Sequence, residues 1–361
     1  MNSTNQQNVS TNETLEMSAP GNTTGFTFIP TDFDRYVMVI LPVTFVVMSV
    51  AGVIGNTMVL LAVIVWKHMR NPLNILIANL AIADLFFIAV VMPGMFGAWA
   101  SLEWALGKLA CQIRIYIVTT STFVRVYTLT MMSILRYLAV VHPIRTIAFR
   151  TNSNARLSII MIWTVVIIGL APTFNVIGND PETCFNLKHK GEEDAISKAD
   201  DERLFYVVAV FLNFFCPVSV TVVIYGLLLK HLFSKEIQQV TQHSGSRKRK
   251  VTLMVVTAVG IFTLSWMPLQ VMYVWKYFGN FPRTIPAQAT WVAATILAFS
   301  NNCVNPVIYA SISDRFRECF KKMMCVCTMS NRHASSTQPR QGHLNGVAKL
   351  AATTLKGVPQ K

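Results

Sequence analysis

Long runs of apolar positions alternate with short polar connections along most of this chain. Seven such runs are legible: Tyr36–Trp66, Leu73–Ala100, Leu109–Val141, Arg156–Gly178, Leu204–Leu229, Val251–Trp275 and Ala289–Ile312. Each reaches the roughly 20 residues that a helix rising 1.5 Å per residue needs to cross a bilayer. They predict an all-α membrane protein, a bundle of seven transmembrane helices over residues 35–312. After the last run, Phe316, Cys319, Phe320 and Met323 recur at i, i+3, i+4 and i+7 between Arg315, Arg317, Lys321 and Lys322. That stripe predicts a short amphipathic helix at the membrane surface, over 313–327. Residues 1–34 and 328–361 are polar and read as an N-terminal tail and a disordered C-terminal tail.

Composition agrees, with 53% hydrophobic and 13% charged residues, far too apolar for an ordinary soluble domain of this length. The formal charge of +14 is explained by its placement. With the N-terminus outside, the cytoplasmic side carries Lys67, Arg70, Arg145, Arg150, Lys230, Lys235, Arg247, Lys248, Arg249, Lys250, Arg315, Arg317, Lys321 and Lys322, opposed only by Glu236, Asp314 and Glu318. This is the signature of basic residues retained inside, and it removes any need for a nucleic-acid partner. The polar N-terminal tail holds the sequons Asn2-Ser-Thr, Asn8-Val-Ser, Asn12-Glu-Thr and Asn22-Thr-Thr, expected as glycosylation sites on the outer face, although so short a pattern also arises by chance. No cleavable signal is read at Met1, so the first span is expected to serve as the insertion signal.

Polar residues inside the spans narrow the function. Asp84 is the one carboxylate of the second span, 12 residues and about 18 Å beyond Pro72; an acid so deep points to function, with a structural polar network as the alternative. Twenty-five residues, about 37 Å of helix, separate Cys111 from Arg136, which puts the cysteine outside and the arginine at the cytoplasmic face. Cys184 is the one cysteine between spans four and five, and the other five lie in spans or on the cytoplasmic side. A Cys111–Cys184 disulfide over the bundle mouth is therefore expected.

These landmarks resemble the rhodopsin-like (class A) G-protein-coupled receptors. The resemblance runs from Tyr36 to Cys327 and has a marker in every span: Gly55-Asn56, "LAIAD" ending at Asp84, "RYLAVVHP" from Arg136, Trp163, Pro217 with Tyr225, "FTLSWMP" with Phe262, Trp266 and Pro268, and "NPVIY" with Asn305, Pro306 and Tyr309. By that resemblance Trp266 and Phe262 press against a hinge at Pro268, and Arg136, Tyr225 and Tyr309 line a cytoplasmic cleft that opens when the sixth span swings outward. In their own right the prolines each remove a helix hydrogen bond and permit a kink, and the aromatics also simply fill the core. The partners implied are an extracellular ligand, a heterotrimeric G protein, receptor kinases and arrestin, the last two through the tail; the location implied is the plasma membrane. No cofactor, metal or catalytic group is expected.

The chain departs from the family pattern in three places. Leu135 stands where an acid usually precedes Arg136, Leu253 where relatives often carry a basic residue, and Arg125 where a small polar residue helps Asp84 hold a sodium ion. Arg125 is 11 residues, about 16 Å, from Arg136, and Asp84 is about 18 Å from the same face, so the two should meet. A bare guanidinium at that depth costs about 2.5–3.5 kcal/mol, and pairing is the expected remedy. The pair, with Asn301 and Asn305 around it, should hold the bundle inactive. We read some of the three departures as engineered or state-biasing substitutions, natural divergence being the alternative.

Ligand class follows from single positions. Phe299 replaces the lysine that a retinal receptor needs, and Val118 the aspartate that an aminergic receptor needs. Gln112, Arg114, Tyr116, Val118, Gln270, Tyr273, Lys276, Tyr277 and Trp291 are candidates to face a broad mouth, below an acidic loop that holds Glu182, Glu192, Glu193 and Asp194. That loop would attract a cationic peptide, or is merely solvated. The stretches "TLTMMSILRYLAVVHPIR", "RKVTLMVVTAVGIFTLSWMPLQ" and "NNCVNPVIYASISDRFRECF" most resemble galanin and allatostatin-A receptors, with somatostatin and opioid receptors next. The resemblance implies a short peptide ligand, often C-terminally amidated, and G proteins of the inhibitory (Gi/o) type. A seven-helix transporter would need a relay of buried acids that is missing here; a scavenging receptor that binds without coupling stays open because of Arg125 and Leu135. Cys319, Cys325 and Cys327 are palmitoylation candidates.

Overall fold

The computed structural model describes residues 32–101, 106–173, 196–232, 245–279, 282 and 284–334. Within them the chain forms α1 (Asp32–Val65), a 3-10 turn (Lys67–Met69), α2 (Pro72–Ser101), α3 (Gly107–Val141), α4 (Asn152–Leu170), α5 (Ile196–Val210), a π turn (Phe211–Phe215), α6 (Cys216–Leu232), α7 (Gly245–Phe278), α8 (Ile285–Ile312) and α9 (Asp314–Ala334). Helices α1 to α4 are spans one to four, α5 and α6 with the π turn make span five, and α7 and α8 are spans six and seven; all seven are long and apolar enough to cross a membrane. Helices satisfy their backbone polar groups internally, which is what a lipid interior demands. The four sequons, Cys184, the acidic loop and residues 335–361 lie outside the described residues.

Most ends of the apolar runs and the helices coincide within a few residues, but span five begins earlier, at Ile196, span six begins earlier, at Gly245, and span four ends sooner. The sequence extends it to Gly178, whereas α4 stops at Leu170. Pro172 lies two residues past that end and cannot donate to the ladder, although Ala171 before it keeps helical backbone angles; residues 174–178 of the expected run lie outside the described residues. Pro217 is accommodated differently. The π turn Phe211–Phe215 sits immediately before it, and the Leu212 carbonyl accepts instead from the Tyr127 hydroxyl at 3.1 Å.

Two arginines at span ends have a structural task. The Arg70 guanidinium donates to the Val63 carbonyl at 3.4 Å and to that of Ile64, and Arg317 donates to Ala310 and Ser311 at 3.0 and 2.6 Å. Each thus closes the C-terminal end of the span before it, where carbonyls lack partners and the helix dipole favours a cation. Thr151 caps the start of α4 by accepting from the Asn154 N–H at 3.2 Å.

Polar side chains stitch the bundle together. The Trp163 indole donates to Asn79 Oδ1 at 2.8 Å, and Asn79 Nδ2 donates to Thr128 Oγ1 at 2.9 Å, which ties span four to spans two and three. Spans one and seven pack closely at Gly55, where an added Cβ would lie 2.8 Å from Pro306 Cγ. Asn56 secures that contact by donating to the Asn302 carbonyl at 2.8 Å.

Candidate functional site

Three clusters stack along the bundle axis: a cavity at one end, a central charged pair, and the Arg136 end. The cavity holds about 150 Å³. Five of the candidate ligand residues line it, namely Arg114, Val118, Gln270, Tyr273 and Trp291. Gln112 does not line it, and Tyr116 is turned toward span four, where its hydroxyl donates to the Ile167 carbonyl at 2.8 Å. Phe205, Tyr206 and Asn213 of span five complete the wall; their position within an apolar span opposite Tyr273 was the only available signal. Tyr206 stacks on Tyr273 at 5.6 Å, Tyr273 meets Trp291 edge-on at 5.2 Å, and the Lys276 ammonium lies 5.6 Å over the Trp291 ring. Trp266 forms the floor and stacks on Phe262 at 6.1 Å. Neither Trp266 Nε1 nor Asn213 Oδ1 has a hydrogen-bond partner, although both are buried.

Below that floor Arg125 meets Asp84. Arg125 Nη2 lies 2.8 Å from Asp84 Oδ1, and both side chains are 0% exposed. Asn305 Nδ2 donates to the other carboxylate oxygen at 2.9 Å. Arg125 also donates to Asn302 Oδ1 and lies 5.8 Å from the centre of the Phe87 ring, which packs edge-on against Phe299 at 5.0 Å. The depth arithmetic placed the two charges at one level, and the side chains close the gap.

The amide neighbours need one correction. Asn302, not Asn301, holds the guanidinium, because Asn302 is turned inward by its own bond to the Phe299 carbonyl at 2.7 Å. Asn301 is buried with both amide atoms unpartnered. The sodium ion that the resemblance would set beside Asp84 does not fit these residues: the carboxylate's charge is already met by Arg125, and a second cation there would face the guanidinium at contact distance. Arg125 Nε and Nη1 have no hydrogen-bond partner, so the pair is electrostatically matched but incompletely satisfied.

At the opposite end Arg136 makes no ion pair among the described residues, and Leu135 beside it packs against the core. The Tyr225 and Ser133 hydroxyls are 3.1 Å apart. Tyr309 is buried and packs on Phe316 of α9 at 5.6 Å. The direct tie from span six to α9 is Lys250 Nζ to Asp314 Oδ2, 2.7 Å. That neighbouring ammonium, through its hydrogen bond and its charge, holds the exposed Asp314 carboxyl below the usual range. Leu253 is exposed on the same helix as Lys250. In α9, Cys319 is buried and Cys325 exposed, while the side chain of Cys327 lies outside the described residues. Cys111 is fully buried in the first turns of α3.

The match to the model of the "7 transmembrane receptor (rhodopsin family)" covers residues 55–309, from Gly55 to the Tyr309 of the last motif. The chain is 32% identical over 296 residues to the allatostatin-A receptor of Bombyx mori, covering 81% of each chain. It is 30% identical over 308 residues to galanin receptor type 1 of Homo sapiens, covering 84% of this chain and 86% of that one. Somatostatin receptor type 2 of Mus musculus is 27% identical over 332 residues, covering 90% of this chain and 88% of that one. With the seven spans, the proline-hinged sixth and seventh helices and the buried Asp84 all in family order, the chain belongs to the rhodopsin family of seven-transmembrane receptors, in its galanin and allatostatin branch.

Proposed function

We propose that this chain is a plasma-membrane neuropeptide receptor with its N-terminus outside, which converts the binding of a short, C-terminally amidated peptide into activation of an inhibitory G protein. The observation that carries the reading is the floor of the outer cavity. Trp266 Nε1 offers an unmet donor and Asn213 Oδ1 an unmet acceptor, both buried. A primary carboxamide supplies the complement of each, while a carboxylate would set a charge against the Asn213 oxygen. The aromatic walls Tyr206, Tyr273 and Trp291 suit apolar side chains next to that terminus. Pressure on Trp266 bears on Phe262 and the Pro268 hinge, and hence on the cytoplasmic end of span six. A Cys111–Cys184 bridge would fix the outer loop above the cavity. Cys325, exposed on α9, is the acylation site we favour, and the serines and threonines of the C-terminal tail are sites for receptor kinases and arrestin.

Competition binding of paired peptides in receptor membranes tests this. The amidated member is expected to bind at least about tenfold more tightly than the free acid, and Asn213→Leu to erase most of that ratio. Equal binding of acid and amide would overturn it.

The state of this chain is biased toward inactivity by the Arg125–Asp84 bridge, which also supports a second reading, a receptor that binds peptide without nucleotide exchange. The Lys250–Asp314 contact adds a smaller restraint on span six. Asp314→Asn is expected to raise ligand-independent exchange by less than about fivefold with little change in Tm. Because the Asp314 carboxyl is held low, the contact is intact above the ordinary carboxylate range and is lost as pH falls through the lowered value. Basal exchange measured from neutral to acid pH should therefore rise in the parent and stay flat in Asp314→Asn.

A further inference from the structure

The contact between Arg125 and Asp84 runs through one atom. Nη2 of Arg125 lies 2.8 Å from Asp84 Oδ1 and also donates to Asn302 Oδ1, so a single nitrogen bridges an oxygen of span two and an oxygen of span seven. A guanidinium usually meets a carboxylate through two parallel N–H bonds. Here it does not. Asn305 Nδ2 holds the second carboxylate oxygen at 2.9 Å, while Arg125 Nε and Nη1 are buried with no hydrogen-bond partner. The side chain therefore serves as a point charge set between oxygens, which is how a bare hard cation is held.

It differs from a dissolved ion in its tether. A dissolved cation that prefers one state of a protein stabilises that state by an amount that grows with its concentration, and it shifts ligand affinity reciprocally. A cation carried on span three is present at a constant, high effective concentration and adds no such dependence. Asp84, Arg125, Asn302 and Asn305 are all buried, so bulk salt screens the contact little. We propose that Arg125 Nη2 is a built-in monovalent cation, which makes the stability and state of this receptor independent of sodium and covers a latent sodium site. Removing the guanidinium would free Asp84 Oδ1 and Asn302 Oδ1 together, a carboxylate and an amide oxygen facing one hollow of side-chain size. The proposal stands on the geometry of this pair and not on the peptide reading.

Full-length receptor in one detergent, without peptide or G protein, is unfolded thermally at a constant total salt of about 0.15 M while sodium chloride replaces choline chloride. The parent Tm is expected to stay within about 1 °C across the series. Arg125→Ser should start lower in choline and climb part of the way back, saturably and by about 2–4 °C, as sodium enters. The double variant Arg125→Ser, Asp84→Asn should lose that climb, which assigns it to the carboxylate. A sodium-specific rise in the parent, no rise in Arg125→Ser, or a rise that survives Asp84→Asn would overturn the proposal. Should Arg125→Ser fail to fold, Arg125→Asn, which retains more side-chain volume, takes its place. If neither folds the parent's series decides, a flat one upholding the proposal and a sodium-specific rise overturning it. Peptide binding does not enter, so a negative result here leaves the amide-binding test standing, and the reverse.

Discussion

Arg125→Met is expected to destabilise the receptor by about 3–5 kcal/mol, because it strands a fully buried carboxylate with Asn305 as its one remaining donor. Asp84→Leu should cost as much or more, since a buried guanidinium would then keep only Asn302 and the Phe87 face. The double replacement Arg125→Met, Asp84→Leu should recover most of the loss, or exceed the parent, because two desolvated charges and the unpartnered Arg125 Nε and Nη1 leave together. Thermal unfolding of the four proteins in one detergent gives the cycle. Additive losses would show that the pair is not coupled. A fifth protein speaks to signalling: Arg125→Ser frees the space around Asp84 and should raise agonist-driven exchange even as Tm falls, which separates a brake from a mere prop.

The second large effect lies at Gly55. A valine there would place its Cβ within 3 Å of both Pro306 Cγ and Pro306 Cβ, closer than side chains tolerate, and neither a proline ring nor a span-one backbone can yield by rotating a side chain. Gly55→Val is expected to cost about 1–3 kcal/mol or more and to loosen the Asn56–Asn302 bond beside it. Gly260→Ala, where an added Cβ meets nothing within 4 Å, is the matched control and should leave Tm unchanged. A Gly55→Val protein with parental Tm would mean that spans one and seven do not pack as tightly as described.

The elements of the fold were legible in the sequence because lipid imposes one solution on an apolar run of sufficient length, and because prolines and basic residues mark where runs stop. The meeting of Arg125 with Asp84 was legible too, since depth in a straight helix is simple arithmetic. Facing direction was not. Asn301 and Asn302 are adjacent, and which one turns inward depends on the bond of Asn302 to Phe299 ahead of the Pro306 kink. Tyr116 belongs to the same helix as Val118 but finds a carbonyl of span four, a partner that no pattern within span three could name. Likewise, counting residues gave no warning that Lys250 and Asp314, 64 positions apart, would join.

The underwound segment Phe211–Phe215 carries one residue more than a regular helix of the same rise. Deleting one residue from it would remove the bulge and leave both flanks aimed as they are, whereas winding all five residues into a regular helix would rotate everything on its outer side by about 100°. Tyr206 would then swing from the cavity wall toward the acyl chains while Tyr225 stayed where it is. Span five is thus two independently aimed segments, and substitutions above and below the bulge should fall into separate phenotypic classes, one altering what is recognised and the other what is transmitted.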